Sequence, residues 1–105
     1  MNSSERTIEL PKEGPLRAAG ALDTYAAAEL RDALAKALEE RAELAVDLSA
    51  VEGCDFTTIQ LLCSARRSAE ESGKPFVVTA FSEAVAGACA ALGLSPGMFS
   101  AAREE

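Results

Sequence analysis

Carboxylate and hydroxyl side chains are concentrated in one stretch of the chain, residues 47–62, which reads DLSAVEGCDFTTIQLL. Asp47 and Asp55 are eight positions apart, and two adjacent hydroxyl residues, Thr57 and Thr58, follow the second of them. A pair of carboxylates can exchange protons with a substrate or bind Mg²⁺, and a threonine hydroxyl can accept a phosphate. The same carboxylates can instead end a strand and begin a helix by accepting backbone N–H groups.

Several kinds of active site are excluded by the residue types in the chain. Histidine is absent, which removes Cys–His zinc sites and Ser–His or Cys–His nucleophile pairs. Cys54 stands beside the carboxylate of Asp55 without a neighbouring base, which disfavours a thiolate. The sequence contains no G-x-x-x-x-G-K phosphate loop and no cluster of metal ligands. We therefore expect no enzymatic activity, no catalytic residue, no cofactor and no metal.

The apolar periodicity predicts four strands and three to four helices around this stretch. In chain order the strands lie over 5–10, 16–19, 44–49 and 75–80, and the helices over 25–40, from about 57 to 73, 82–93 and 98–105. Asp23 or Thr24 is the expected cap of the first helix, and Ser82 caps the third. The second helix is expected to begin near Thr57, which has capping-box spacing to Gln60.

The order of these elements predicts an α/β fold. Helical crossovers join the last three strands, which implies parallel strands with right-handed connections, and the first hairpin adds an antiparallel edge strand. The length of 105 residues fits a single domain over residues 1–105. In such sheets, sites gather outside the carboxyl ends of the strands. A helix N-terminus there stabilises phosphate, which singles out Asp55, Phe56, Thr57 and Thr58.

The motifs resemble those of the STAS domain family, to which the anti-sigma-factor antagonists belong. Family members typically have a strand that ends in a motif like Asp-Leu-Ser-Gly-Val. A second motif, Asp-Ser-Ser-Gly-Leu or its Thr variant, begins eight residues after the first Asp and opens a helix. Asp47 and Asp55 have this spacing, and Ile59–Leu62 matches the helix that follows. Gly20–Asp23 resembles the turn before the first helix, and Leu92–Leu94 resembles the end of the third. The resemblance covers nearly the whole chain and implies a STAS-like fold.

The resemblance also implies a function. Anti-sigma-factor antagonists are bacterial signalling modules that bind an anti-sigma or serine-kinase-like partner and are regulated by phosphorylation. In this chain Phe56 occupies the usual acceptor position and cannot take a phosphate, Thr57 matches the second hydroxyl position, and Thr58 replaces the usual glycine. Three interpretations follow. Thr57 or Thr58 is the phosphoacceptor; or the switch is lost and Phe56 anchors a partner; or Thr57 only caps the helix and Phe56 packs into the core.

Two further functions are implied by other members of the family. Similar STAS proteins are regulatory subunits that attach to the ATPase of lipid-transport ABC systems or accompany chemotaxis complexes. Some STAS-like domains bind nucleotides or lipids.

The charge and the termini narrow the choice of partner. A net charge of −7 and a sequence pI of about 4.6 repel nucleic acid and anionic lipid headgroups. The first residues, MNSSERTIEL, contain no apolar signal core, and no apolar run is long enough to span a membrane. An odd count of three cysteines argues against a disulfide framework. We expect a cytoplasmic protein that binds a protein partner, without nucleic acid binding or direct membrane insertion.

Overall fold

A mixed four-stranded sheet with the order β1-β2-β3-β4 organises the computed structural model, which describes residues 7–94. The elements are β1 (Thr7–Glu9), β2 (Leu16–Leu22), α1 (Thr24–Glu40), β3 (Leu44–Cys54), α2 (Phe56–Glu71), β4 (Phe76–Phe81) and α3 (Glu83–Ala91). β1 is antiparallel to β2, whereas β3 is parallel to both β2 and β4. The predicted α/β sheet is confirmed. The helix expected over 98–105 lies outside the described residues, and a single domain over 1–105 stays a prediction.

The core lies between one face of the sheet and the helices. Alternate residues of β2 and β3 point to this face, and Leu16, Val46 and Leu48 are fully buried there. The helices contribute apolar residues at spacings of three and four, among them Leu30 of α1 and Leu62 of α2. Right-handed crossovers in the order β2, β3, β4 place α1 and α2 side by side on the same face. The starts of these two helices therefore lie at the same edge of the sheet.

β3 is five residues longer than the predicted strand over 44–49, because it continues to Cys54. Two register shifts relative to β2 interrupt the ladder without ending it. At the first shift, the Asp47 carboxylate accepts the backbone N–H of Ser49 at 2.9 Å and its hydroxyl at 2.7 Å. The predicted strand end at this point is therefore wrong, since the carboxylate supports a bulge within a continuous strand. At the second shift, Gly20 of β2 has φ +84°, which glycine adopts without strain.

Two cations fix the opposite end of the molecule. The Arg41 guanidinium donates hydrogen bonds to the carbonyls of Gly14 and Pro11 in the β1–β2 loop. The Lys74 ammonium donates to the carbonyl of Leu38 near the C-terminus of α1, where a positive charge complements the helix dipole. These contacts connect the hairpin, α1 and the end of α2 on the side away from the carboxyl ends of the parallel strands.

Candidate functional site

Each parallel strand leads into a helix through a single capping residue. The Asp23 carboxylate accepts a backbone N–H from the first turn of α1 at 3.0 Å. The Asp55 carboxylate accepts two from α2 at 3.1 and 3.4 Å, and the Ser82 hydroxyl accepts one from α3 at 3.3 Å. Each side chain satisfies N–H groups that have no partner within the helix. The capping role of Ser82 is confirmed, and of the two candidates for α1 the cap is Asp23.

The start of α2 differs from the prediction. Asp55 has the extended backbone of an N-cap (φ −111°, ψ −176°), and the helix begins at Phe56. The predicted cap at Thr57 with a capping box to Gln60 is therefore wrong. Both Asp and Thr can cap a helix, and the end of β3 at Cys54 places Asp55 first.

The four predicted site residues differ sharply in exposure. Asp55 is exposed, the Phe56 side chain is 54% exposed, Thr57 is half-buried and Thr58 is 0% exposed. The interpretation in which Phe56 packs into the core is therefore wrong. Asp55, Phe56 and Thr57 form an accessible ridge at the tip of α2, and Thr58 lies beneath it.

The depth of Thr58 follows from its position on the helix. Thr58 lies four residues before Leu62, and both belong to the buried stripe of α2 together with Ala65 and Ala69. This spacing is visible in the sequence and would have placed Thr58 in the core. Its Oγ1 atom is buried and has no hydrogen-bond partner among residues 7–94. A kinase therefore cannot reach this hydroxyl unless the start of α2 opens.

Asp47 and Asp55 do not form a catalytic or metal-binding pair. On the neighbouring strand β2, Arg17 pairs with Asp47, and Leu22 pairs with Cys54, the residue before Asp55. Arg17 and Leu22 are five positions apart. Five residues of strand span about 16 Å, which is too far for two carboxylates to share a proton or a cation. Within residues 7–94, no three His, Cys, Asp or Glu side chains are arranged to hold a metal ion.

Asp47 instead contacts Ser49 and Arg17, which stabilise its ionised form. The backbone N–H and the hydroxyl of Ser49 lower the pKa of the Asp47 carboxyl, and the Arg17 guanidinium, 3.7 Å away, adds to this effect. A carboxyl with a lowered pKa is ionised at neutral pH and donates no proton.

The thiols of Cys54 and Cys89 lie in an environment that favours the neutral form. Burial raises the pKa of Cys54 and of Cys89, which is fully buried. All three cysteines, including Cys63, are free. The Cys54 thiol contacts the carbonyl of Ala84 at 3.9 Å, which brings the first turn of α3 against the end of β3. The Cys54 and Cys89 thiols act as small apolar groups, because nucleophilic attack requires a thiolate.

Concave surfaces occur away from the tip of α2. A groove of about 140 Å³ runs between α1 and α2 beside Leu38 and Leu61, and sites for small molecules usually exceed about 300 Å³. A shallow depression of about 320 Å³ lies at the opposite end beside Arg41, whose guanidinium is bonded to backbone carbonyls.

No helix between residues 7 and 94 has both the length and the hydropathy needed to cross a bilayer.

Comparison with known proteins identifies the family. A family model described as "Mlab, STAS domain" matches residues 7–98, and the chain belongs to this STAS family. The fold is also similar to that of the "Structure of the Anti-Sigma Factor Antagonist SpoIIAA in its Unphosphorylated Form", with a TM-score of 0.68 and 15% identity over 91% of this chain and 85% of that chain. At this identity the likeness shows the fold alone. No curated protein matches the chain. The predicted family and fold are confirmed.

Proposed function

We propose that this chain is a non-enzymatic signalling module that binds a protein partner through the capping residue Asp55 and the first turn of α2. The observation that carries the proposal is the 54% exposure of Phe56 on a helix whose apolar residues Ile59 and Leu62 are fully buried. An aromatic side chain at the centre of an interface can contribute more than about 2 kcal/mol to binding. Membership of the STAS family supports an anti-sigma or serine-kinase-like partner, and the cytoplasm as the compartment where they meet.

We further propose Thr57 as the phosphoacceptor. Its side chain is half-buried in the first turn of α2, whereas the Thr58 hydroxyl is enclosed. A phosphate on Thr57 adds about −1.5 to −2 charges directly beside Phe56. Burial of the ring against a partner would then require the desolvation of a dianion, so phosphorylation weakens the complex.

A capture experiment tests the contact surface. The tagged protein and its Phe56→Ala/Thr57→Ala variant are incubated with lysate from the native cells, and bound proteins are identified by mass spectrometry. We expect the double variant to lose the partner that the unaltered chain captures. Leu92→Ala is the matched control, because this apolar residue is 42% exposed and lies at the far end of α3. Undiminished capture by a folded double variant would refute the surface.

A second experiment tests the phosphoacceptor. Mass spectrometry of the protein from native cells under varied growth conditions should find phosphate on Thr57, and the Thr57→Val variant should carry none at that position. A chain that is always unmodified at Thr57 would refute regulation by phosphorylation at this residue. It would support Phe56 as a constitutive anchor for the partner.

The matching family model is named for Mlab rather than for the anti-sigma-factor antagonists. This favours a second candidate, in which the same surface holds the ATPase of a lipid-transport ABC system. The identity of the captured partner decides between the two, because one partner is an anti-sigma or kinase-like protein and the other is a transport ATPase.

A further inference from the structure

A second exposed aromatic residue lies next to the tip of α2. Tyr25, in the first turn of α1, is 77% exposed, which is more than Phe56 at 54%. The last residues of β2 and β3, Leu22 and Cys54, are register partners, so the helices that follow them start side by side. Packed helices have axes about 8–10 Å apart. Two aromatic side chains are therefore presented to solvent on neighbouring helix starts.

The charged residues at this end of the sheet all carry the same sign. Asp23 and Asp55 cap the two helices, and Glu52 lies near the end of β3; all three are exposed. Glu83, also exposed, begins α3, whose next residue, Ala84, contacts the Cys54 thiol. The strand ends and first helical turns at this edge, residues 20–28, 51–60 and 80–87, contain four acidic residues and no Lys or Arg.

Among residues 7–94, five basic residues form polar contacts within the chain, and all five lie outside these segments. Arg41 and Lys74 donate to backbone carbonyls at the opposite end of the sheet. The other three are in ion pairs with a carboxylate: Arg17 with Asp47 at 3.7 Å, Arg31 with Asp32 at 3.6 Å and Arg66 with Glu70 at 3.8 Å. Within residues 7–94, none of these cations belongs to the segments that carry the two exposed aromatic side chains. We call Asp23, Tyr25, Glu52, Asp55, Phe56 and Glu83 the strand-end surface.

We propose that the strand-end surface docks onto a protein surface in which arginine and lysine residues surround an apolar pocket. This inference rests on the proposed function and specifies the chemistry of the partner. Burial of Tyr25 and Phe56 needs an apolar counterpart, and the surrounding carboxylates need cations when water is displaced. Nucleic acid and anionic membranes do not fit, because their own negative charge repels this edge.

The position of a charge within this surface determines its effect. Carboxylates at the rim stay hydrated and steer a basic partner, which accelerates association. A phosphate on Thr57 would instead lie beside the Phe56 ring, where its desolvation opposes docking. Carboxylates at the rim therefore favour binding of the partner, whereas a phosphate on Thr57 weakens it.

Synthetic peptides provide a direct probe of this chemistry. The ¹⁵N-labelled protein is titrated with a short peptide of alternating arginine and leucine and with a matched peptide of alternating glutamate and leucine. We expect the basic peptide to shift amide resonances at the strand-end surface and the acidic peptide to shift none. Glu39 and Glu40, exposed at the end of α1, provide an internal control. Equal shifts there and at the strand-end surface would overturn the proposal, because they indicate attraction to net charge alone.

The partner captured by the unaltered chain allows a kinetic test. Raising the salt from about 50 to about 500 mM, which shortens the screening length several-fold, should lower the association rate constant about tenfold. Glu52→Gln/Glu83→Gln should lower that constant at low salt by about threefold or more, and Tyr25→Ala should raise the dissociation constant about tenfold. The matched control Glu39→Gln/Glu40→Gln removes the same charge and should change neither.

The outcomes separate this inference from the proposed function. One outcome is that Phe56→Ala abolishes binding while Glu52→Gln/Glu83→Gln, Tyr25→Ala and added salt leave the binding constants unchanged. In that case the proposed function stands and the strand-end surface is refuted. If Phe56→Ala leaves capture unchanged, the proposed function itself fails.

Discussion

Replacement of Thr58 by valine should stabilise the protein. Thr58 is 0% exposed, and its hydroxyl has no hydrogen-bond partner among residues 7–94. Folding therefore removes the hydroxyl from water without a replacement bond. Valine has nearly the same shape and is also β-branched, so it fills the same space on the buried stripe of α2 without the hydroxyl.

The size of the effect follows from the desolvation of one hydroxyl. A buried polar group without a partner costs about 1–3 kcal/mol, and partial relief of this cost predicts that Thr58→Val raises the free energy of unfolding by about 1 kcal/mol. For a domain of about 100 residues, this corresponds to an increase of roughly 4–8 °C in Tm.

Urea denaturation and thermal melting of the unaltered chain, Thr58→Val and Thr57→Val measure the effect. Thr57→Val is the control, because Thr57 is only half-buried and the loss of its hydroxyl should change stability by less than about 0.5 kcal/mol. If Thr58→Val lowers the free energy of unfolding by about 1 kcal/mol or more, the hydroxyl is bonded in the folded protein and the reasoning fails.

Three other predictions concern the cap, the bulge and the thiols. Asp55→Ala removes the acceptor of two backbone N–H groups and should lower the free energy of unfolding by about 1–2 kcal/mol in urea, whereas Asp55→Asn should cost only a few tenths; equal losses would contradict the capping role. The pKa of Asp47 is lowered in the folded protein, so its ionised form stabilises the fold above the ordinary carboxyl pKa, and this contribution is lost as the pH falls through the lower folded value. Asp47→Asn should therefore cost about 1 kcal/mol at neutral pH and almost nothing in strong acid, and a difference that does not change with pH would refute this. Cys89 is fully buried and has a raised pKa, so iodoacetamide should modify it only after unfolding, as measured by mass spectrometry; rapid modification of the folded protein would show that the site opens.

Sequence reasoning succeeded where the signal is local. The spacing of apolar residues predicted α1 over 25–40, and the structure places it at Thr24–Glu40. Ser82 was predicted as the cap of α3 because its side chain needs only the N–H groups of the next turn. The family motifs around Asp47 and Asp55 led to the correct family and the correct fold.

The same reasoning failed where two local signals compete. Residues 49–53, SAVEG, lack the apolar alternation of a strand, yet they belong to β3 because residues 19–22 of β2 pair with that part of β3. Asp55 and Thr57 are both good caps, and the choice between them depends on where the preceding strand ends. Neither outcome could be obtained without the neighbouring strand.

The amino-acid sequence alone determined the family, the order of the elements and the stretch that carries the candidate site, because periodicity, caps and motif spacing are properties of adjacent residues. The tertiary structure decided which side chains of that stretch reach solvent. It buried Thr58, exposed Phe56 and placed Tyr25 on the neighbouring helix start. Exposure depends on packing between elements that are distant along the chain, here β2 beside β3 and α1 beside α2.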